Sequence, residues 1–154
     1  MKTLEIMETN YGALRGVTNF NSYPDGTLKS CMLCEENTIE TRSGRFIPQY
    51  CADEFGDRQK KHRSALAFHP NGEIKSAALQ HPAAILTPLG VFDAELVTFY
   101  EDSGVNRLFP LNGLVNGFWS ENQERAMAKR LDFDLAVGKF TAKVIGIHFY
   151  PGGA

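Results

Sequence analysis

With 154 residues, 43% hydrophobic and 22% charged, the chain has the length and balance of one ordinary globular domain with a substantial core. A formal charge of −2 and a pI near 6.1 argue against a nucleic-acid footprint, which needs basic residues gathered on one face. No apolar run approaches the roughly 20 residues that span a bilayer, and the opening MKTLEIMETN lacks the apolar stretch and cleavage site of a secretory signal.

Three cysteines, an odd number, do not make a disulfide framework, so a cytoplasmic chain with reduced thiols is expected. The first recognisable element is SYPDGTLKSCML (22–33), in which Pro24 presets the turn and Gly26 supplies the positive φ that other residues adopt at a cost. An alternating strand follows. The same device returns in FHPNGEIKSAAL (68–79), with Pro70 and Gly72, and in looser form in FYEDSGVNRLFPL (99–111), closed by Gly104. HFYPGGA (148–154) has the form of a fourth opening.

The likeness runs past the turn. An Ile-x-Thr begins 13 residues after the turn glycine in both of the first two units, at Ile39 after Gly26 and at Ile85 after Gly72. The closing glycines, Gly44 and Gly90, each follow by 18 residues. Such a unit reads as about two antiparallel hairpins that cannot bury their apolar face alone, so neighbouring units must extend a common sheet. The expectation is a single repeat domain over 1–154, with units at about 17–63, 64–96 and 97–143 and a truncated one from 144. Such a domain reads as a piece of a longer array, or as one whose last strand is left for pairing.

Between the units lie insertions. ADEFGDRQKKHR (52–63) is charged and reads as a surface excursion. SENQERAMAKR (120–130) is the one helical stretch, with Ser120 and Gln123 as a capping box and Lys129 and Arg130 in the last turn. The chain then returns to strand, with Gly138 and Lys139 as its turn. The fold class predicted is mainly β: hairpin or meander repeats in an open, twisted antiparallel sheet, with one short helix near 121–130.

The signature aromatic-x-Pro-[Asp/Asn]-Gly-x-[Leu/Ile]-Lys-Ser, present as YPDGTLKS and FHPNGEIKS, resembles the MORN-variant repeats of bacteria, the type found in YwqK-like proteins. It is degenerate in FYEDSGVNR and FYPGG. The resemblance implies an elongated sheet of hairpin repeats that serves scaffolding, protein contact or membrane-surface contact rather than chemistry. The helix and the charged insertion depart from that family's pattern.

Candidate sites are few. Cys31 and Cys34, with Cys51 and His62, offer thiolate and imidazole ligands for zinc, but the spacing is unlike a zinc ribbon. The second unit carries Ala77 and Gln80 in the places of Cys31 and Cys34, and residues three apart on a strand face opposite ways, so Cys31 also reads as a small apolar residue. His69 takes the place of Tyr23 and Tyr150 beside the turn, His81 precedes Pro82 in a loop, and His148 alternates outward; no nucleophile stands at a motif spacing from them. The glycines, from Gly26 through Gly138 to Gly153, fall one per turn and never cluster into a phosphate cradle.

Phe118, Trp119, Arg58 and Arg63 are the candidate partner contacts. No catalytic residue, cofactor or metal is expected. The leading expectation is a non-enzymatic module that contacts another protein or further repeats of its own chain, with a homodimer through an edge strand as one form of pairing. Two alternatives stand beside it: small-molecule or metal binding through the insertions at 52–63 and 112–130, and membrane-surface association through the basic run 58–63.

Overall fold

Residues 5–50, 58–59, 64–110, 114–115 and 121–152 are described by a computed structural model of the chain. The first half holds β1 (Glu5–Thr9), β2 (Gly12–Ser22), β3 (Leu28–Leu33), β4 (Ile39–Thr41), β5 (Gly44–Phe46), β6 (Arg58–Gln59) and β7 (Leu66–Phe68). Next come β8 (Ile74–Thr87), β9 (Gly90–Phe99), β10 (Val105–Phe109), β11 (Leu114–Val115) and α1 (Glu121–Met127). β12 (Lys129–Leu135), β13 (Gly138–Val144) and β14 (Ile147–His148) complete it. Eight strands pair antiparallel in the order β1-β2-β3-β7-β8-β9-β10-β14, an open sheet, while β4-β5, β6-β11 and β12-β13 pair separately. The chain is mainly β, as its periodicity requires.

Two kinds of turn alternate along it. In the first, the residue that enters the turn accepts a hydrogen bond from the N–H three residues on and donates its own N–H to the carbonyl four on. Tyr23, Gly26 and Thr27 do this at 2.8–2.9 Å, as do His69, Gly72 and Glu73, and Tyr100, Ser103 and Gly104. Inside each, Asp25, Asn71 or Asp102 turns its side-chain oxygen back onto the N–H two residues later, at 2.9–3.0 Å. This is the three-residue hairpin loop whose last position is left-handed. Gly26 and Gly72 supply it; in the third unit Ser103, at φ 66°, does so and not Gly104 as the spacing suggested. Ser103 tolerates the strain because its hydroxyl donates to the Glu73 carboxylate at 2.5 Å.

In the second kind, a threonine hydroxyl donates to the carbonyl of a glycine three residues on and accepts the N–H between them. Thr9 with Gly12, Thr41 with Gly44 and Thr87 with Gly90 share this pattern, at 2.7–2.9 Å for the hydroxyl bond. The Ile-x-Thr spacing detected the last two; Thr9 and Gly12 are an upstream member that it missed. The hairpin β12–β13 turns at Ala136 and Val137, with Gly138 already paired to Leu135, rather than at Gly138 and Lys139.

The core follows from cross-strand register. Cys31, Leu66, Ala77, Val97 and Leu108 lie opposite one another in succession across β3, β7, β8, β9 and β10 and are all fully buried. The hairpin β4–β5 and the segment after it flank the far half of β8, where Ser43 O accepts from Leu86 N at 2.7 Å and Ile47 O from Gln80 N at 2.9 Å. Ile39 and Phe46 close the core there, and Phe133 of β12 meets Phe92 of β9 at 5.6 Å between ring centroids.

Two further expectations are corrected. His81 and Pro82 lie within β8, not in a loop; the register slips between Ala78 and Ala83, and a proline fits a strand at such an irregularity because no ladder N–H is needed from it. The helix ends at Met127, and Lys129 and Arg130 open β12, paired to Val144 and Lys143. A seven-residue ladder to β13 satisfies more backbone groups than one further helical turn.

Candidate interaction groove

The recurring [Leu/Ile]-Lys-Ser of the repeat breaks strict alternation, and the sheet shows why. Across β7 and β8, Ala67 pairs with Ser76 but Phe68 pairs with Ile74, so Lys75 is an extra residue with no partner of its own. Lys29 is extra between Ser30 and Leu28 on β3, and Asn106 between Val105 and Arg107 on β10. Each is a β-bulge placed at the same distance from its turn. The bulge lets two consecutive residues face outward between two that face the core. Leu28-Lys29-Ser30-Cys31, Ile74-Lys75-Ser76-Ala77 and Val105-Asn106-Arg107-Leu108 are three copies of that in-out-out-in pattern, and Cys31, Ile74, Ala77, Val105 and Leu108 are all buried.

These outward pairs build a groove of about 860 Å³ across the outer face of the sheet. Its floor includes a row in direct register, Ser30–Ala67–Ser76–Thr98–Arg107, and Phe68, Leu96 and Phe99 add apolar lining. One wall is the row of turn aromatics Tyr23, His69 and Tyr100. Each of these reaches across to the next turn. Tyr23 donates its hydroxyl to Phe68 O at 2.8 Å, and Tyr100 donates to Phe149 O at 2.8 Å. His69 Nε2 lies 2.9 Å from Phe99 O; because a carbonyl only accepts, that nitrogen carries the proton and His69 acts as a tyrosine substitute. Tyr150, next in the series, is exposed and packs on His148 at 5.1 Å.

Lys29, Lys75 and Arg107 all line the groove. Lys29 lies 5.6 Å from the centre of the Tyr23 ring, and none of the ion pairs among the described residues involves these three cations. Two groove residues hold buried polar atoms with no hydrogen-bond partner, Thr98 Oγ1 and Asn106 Oδ1. Native proteins leave few such atoms.

A second polar cluster lies where four turns meet. Glu73 accepts from the hydroxyls of Ser103 and Tyr11, both at 2.5 Å, and from Asn10 Nδ2 at 3.3 Å. Those hydrogen bonds, led by Ser103, hold its carboxyl below the usual carboxylate range, with the Arg42 charge assisting. Burial, then the bond to Glu73, pushes the Tyr11 hydroxyl up, so it stays a donor. Arg42 bonds the carbonyls of Asp102 and Ser103. The cluster ties four turns together through the Glu73 carboxylate.

The other sequence candidates are dispersed. Cys31 is buried in the core row and its thiol is pushed up to about 12 by burial, while Cys34 is exposed beyond the strand. His81 and His148 are exposed on β8 and β14. Arg58 pairs its backbone with Val115 across β6 and β11. Cys51, His62, Arg63, Phe118, Trp119 and Gly153 lie outside the described residues. Among the described residues no group of three or more His, Cys, Asp or Glu is placed to hold a metal ion, and no helix is long and apolar enough to cross a membrane.

Sequence reasoning missed Lys29, Lys75, Asn106 and Arg107 as site residues. The signal was present: apolar residues three apart within a strand, where alternation demands two, mark a bulge. The chain matches no protein-family model, no curated protein and no solved structure.

Proposed function

We propose that the chain is a non-enzymatic β-repeat module of the MORN-variant kind, working in the cytoplasm, that presents the outer face of its sheet to another protein. The observation that carries this reading is the groove: equivalent bulged positions of three units open onto one continuous channel. The residues that differ between units, Asn106 and Arg107 against Lys-Ser, then tune what is bound, while the repeated ones keep the frame. The free thiols Cys31 and Cys34 suit a reducing compartment.

The test is retention of binding proteins from the source cell by the wild-type chain and by Ser76→Trp, which fills the channel floor. Quantitative mass spectrometry is expected to find proteins held by the wild type and lost by the variant, with both chains equally folded by circular dichroism. Identical retained sets overturn the reading.

A further inference from the structure

The hairpin β12–β13 lies outside the eight-stranded sheet, and among the described residues β13 pairs with β12 alone, so its other edge is free. Leu135 and Gly138 close a two-residue loop and are hydrogen-bonded across it. Backbone groups alternate in direction along an antiparallel strand, so Phe140 and Ala142 turn theirs to β12. Lys139, Thr141 and Lys143 turn their N–H and C=O groups to the free side. The strand is open to solvent there, and every residue from Gly138 to Thr141 is exposed.

Both faces of the hairpin are incomplete on that side. The apolar face carries Phe133 and Phe140 in direct register, stacked at 5.0 Å between ring centroids. Phe133, on β12, is 6% exposed whereas Phe140 is 48% exposed, so the apolar cover stops at β13. On the polar face, β12 sets a carboxylate beside the first two outward residues. Asp134 lies 3.2 Å from Lys139, and Asp132 accepts from the Thr141 hydroxyl at 2.6 Å. The third outward residue, Lys143, faces Arg130 instead. Neither of these two cations has an ion-pair partner among the described residues, and like charges in direct register repel.

The partner that β13 already has reads Leu-Asp-Phe-Asp-Leu, with acids on one face and apolar side chains on the other. A third strand of the same pattern sets an acid beside Lys143 and apolar side chains over Phe140. A second copy of β13 does not fit, because antiparallel self-pairing about Thr141 sets Lys139 against Lys143. Edge lysines of this kind discourage self-association and favour an acidic partner over a basic one.

We propose that the free edge of β13 accepts an antiparallel strand of another protein, one alternating acidic and apolar residues, with acids beside Lys139 and Lys143 and apolar side chains over Phe140. In such strand addition, main-chain hydrogen bonds supply the affinity and alternate side chains the choice of partner. This is a second contact surface, independent of the groove.

The experiment is fluorescence anisotropy at low salt with a short labelled peptide of alternating Asp and Val, and with the same peptide carrying Asn for Asp. The acidic peptide is expected to bind about fivefold more tightly, from two exposed ion pairs, and to weaken as salt rises. N-methylation at the Asp residues, whose N–H groups face β13 in this register, is expected to abolish binding. N-methylation at the Val residues, whose N–H groups face away, is expected to leave it. In the protein, Thr141→Pro removes one outward N–H and is expected to weaken binding about tenfold, while Thr141→Val keeps that N–H and binds as the wild type does. Lys143→Glu is expected to erase the preference for Asp over Asn, with unchanged circular dichroism and melting temperature showing that the fold is kept.

Equal binding of the Asn peptide overturns the proposal, and so does an equal effect of the two N-methylations. Both are read on the wild-type chain and hold even where Thr141→Pro disturbs the hairpin. Binding that survives Thr141→Pro in a folded chain places the peptide elsewhere and overturns it as well. If neither peptide binds, the β13 site falls, while the groove reading is decided separately by Ser76→Trp.

Discussion

The hydroxyl of Tyr23 and the imidazole of His69 reach the same kind of acceptor, a main-chain carbonyl at the entry to the next turn, and Tyr100 repeats the contact. A partly buried hydrogen bond of this sort contributes about 1 kcal/mol. Tyr23→Phe, His69→Phe and Tyr100→Phe are each expected to lower stability by roughly that amount in urea unfolding, and His69→Tyr to restore it. A loss in His69→Phe that His69→Tyr does not recover would mean that the ring is held by packing alone.

Cys31 and Cys34 are likewise distinguished by position and not by spacing. Burial keeps the Cys31 thiol protonated, and the thiolate is the reactive form. Iodoacetamide at mildly alkaline pH is therefore expected to label Cys34 in the native protein and Cys31 only after denaturation, as read by peptide mass spectrometry. Comparable native labelling of both would show that the β3 core row opens readily.

Among the elements, the bulge is the feature on which the pattern depends. Lys75 makes no contact that the fold needs, so Lys75→Ala is expected to change stability by less than about 0.5 kcal/mol. Deleting Lys75 is different, because a strand one residue shorter must either expose Ile74 or bury Ser76. Exposing a buried isoleucine costs about 2 kcal/mol, so the deletion is expected to destabilise by at least that, measured by chemical denaturation of the two variants side by side. A deletion as mild as the alanine substitution would contradict the bulge.

Gly44 tests the β4–β5 hairpin in the same way. It has a φ of 139°, and a Cβ there would come within 2.7 Å of Ala84 O on the neighbouring strand, whereas at Gly90, with a φ of 120°, nothing lies within 4 Å. Gly44→Ala is expected to cost more than Gly90→Ala, since both carry backbone strain and only the first adds a clash with backbone. Equal thermal shifts would detach the hairpin from β8.

For the molecule as a whole, the Glu73 cluster joins turns far apart in sequence: Tyr11 and Ser103 flank a carboxylate 62 residues from one and 30 from the other. A carboxyl held below its ordinary value stabilises the fold above the unfolded-state pKa, and that stability is lost as pH falls through the lower folded value. The melting temperature of the wild type is expected to exceed that of Glu73→Gln at neutral pH, with the gap closing as the solution becomes acidic. A gap independent of pH would mean that the glutamine replaces the hydrogen bonds and the charge contributes nothing.

The sequence by itself determined the kind of structure. Pro-Asp-Gly and Pro-Asn-Gly fix their turns through local backbone sterics, and the apolar periodicity of Leu66 and Phe68 fixes a half-buried strand, because both depend only on neighbours in the chain. It also carried the bulges, in apolar residues three apart, although reading them required knowing which strands pair. The tertiary structure alone decided that Lys129 and Arg130 leave the helix for β12, since the choice rests on a ladder with residues up to 15 positions away. It also decided that Ser30, Ala67, Ser76 and Thr98 form one floor and that Tyr11, Glu73 and Ser103 meet. Those juxtapositions depend on strand order and register, which are set by the sum of packing contacts across strands and not by the preference of any one segment.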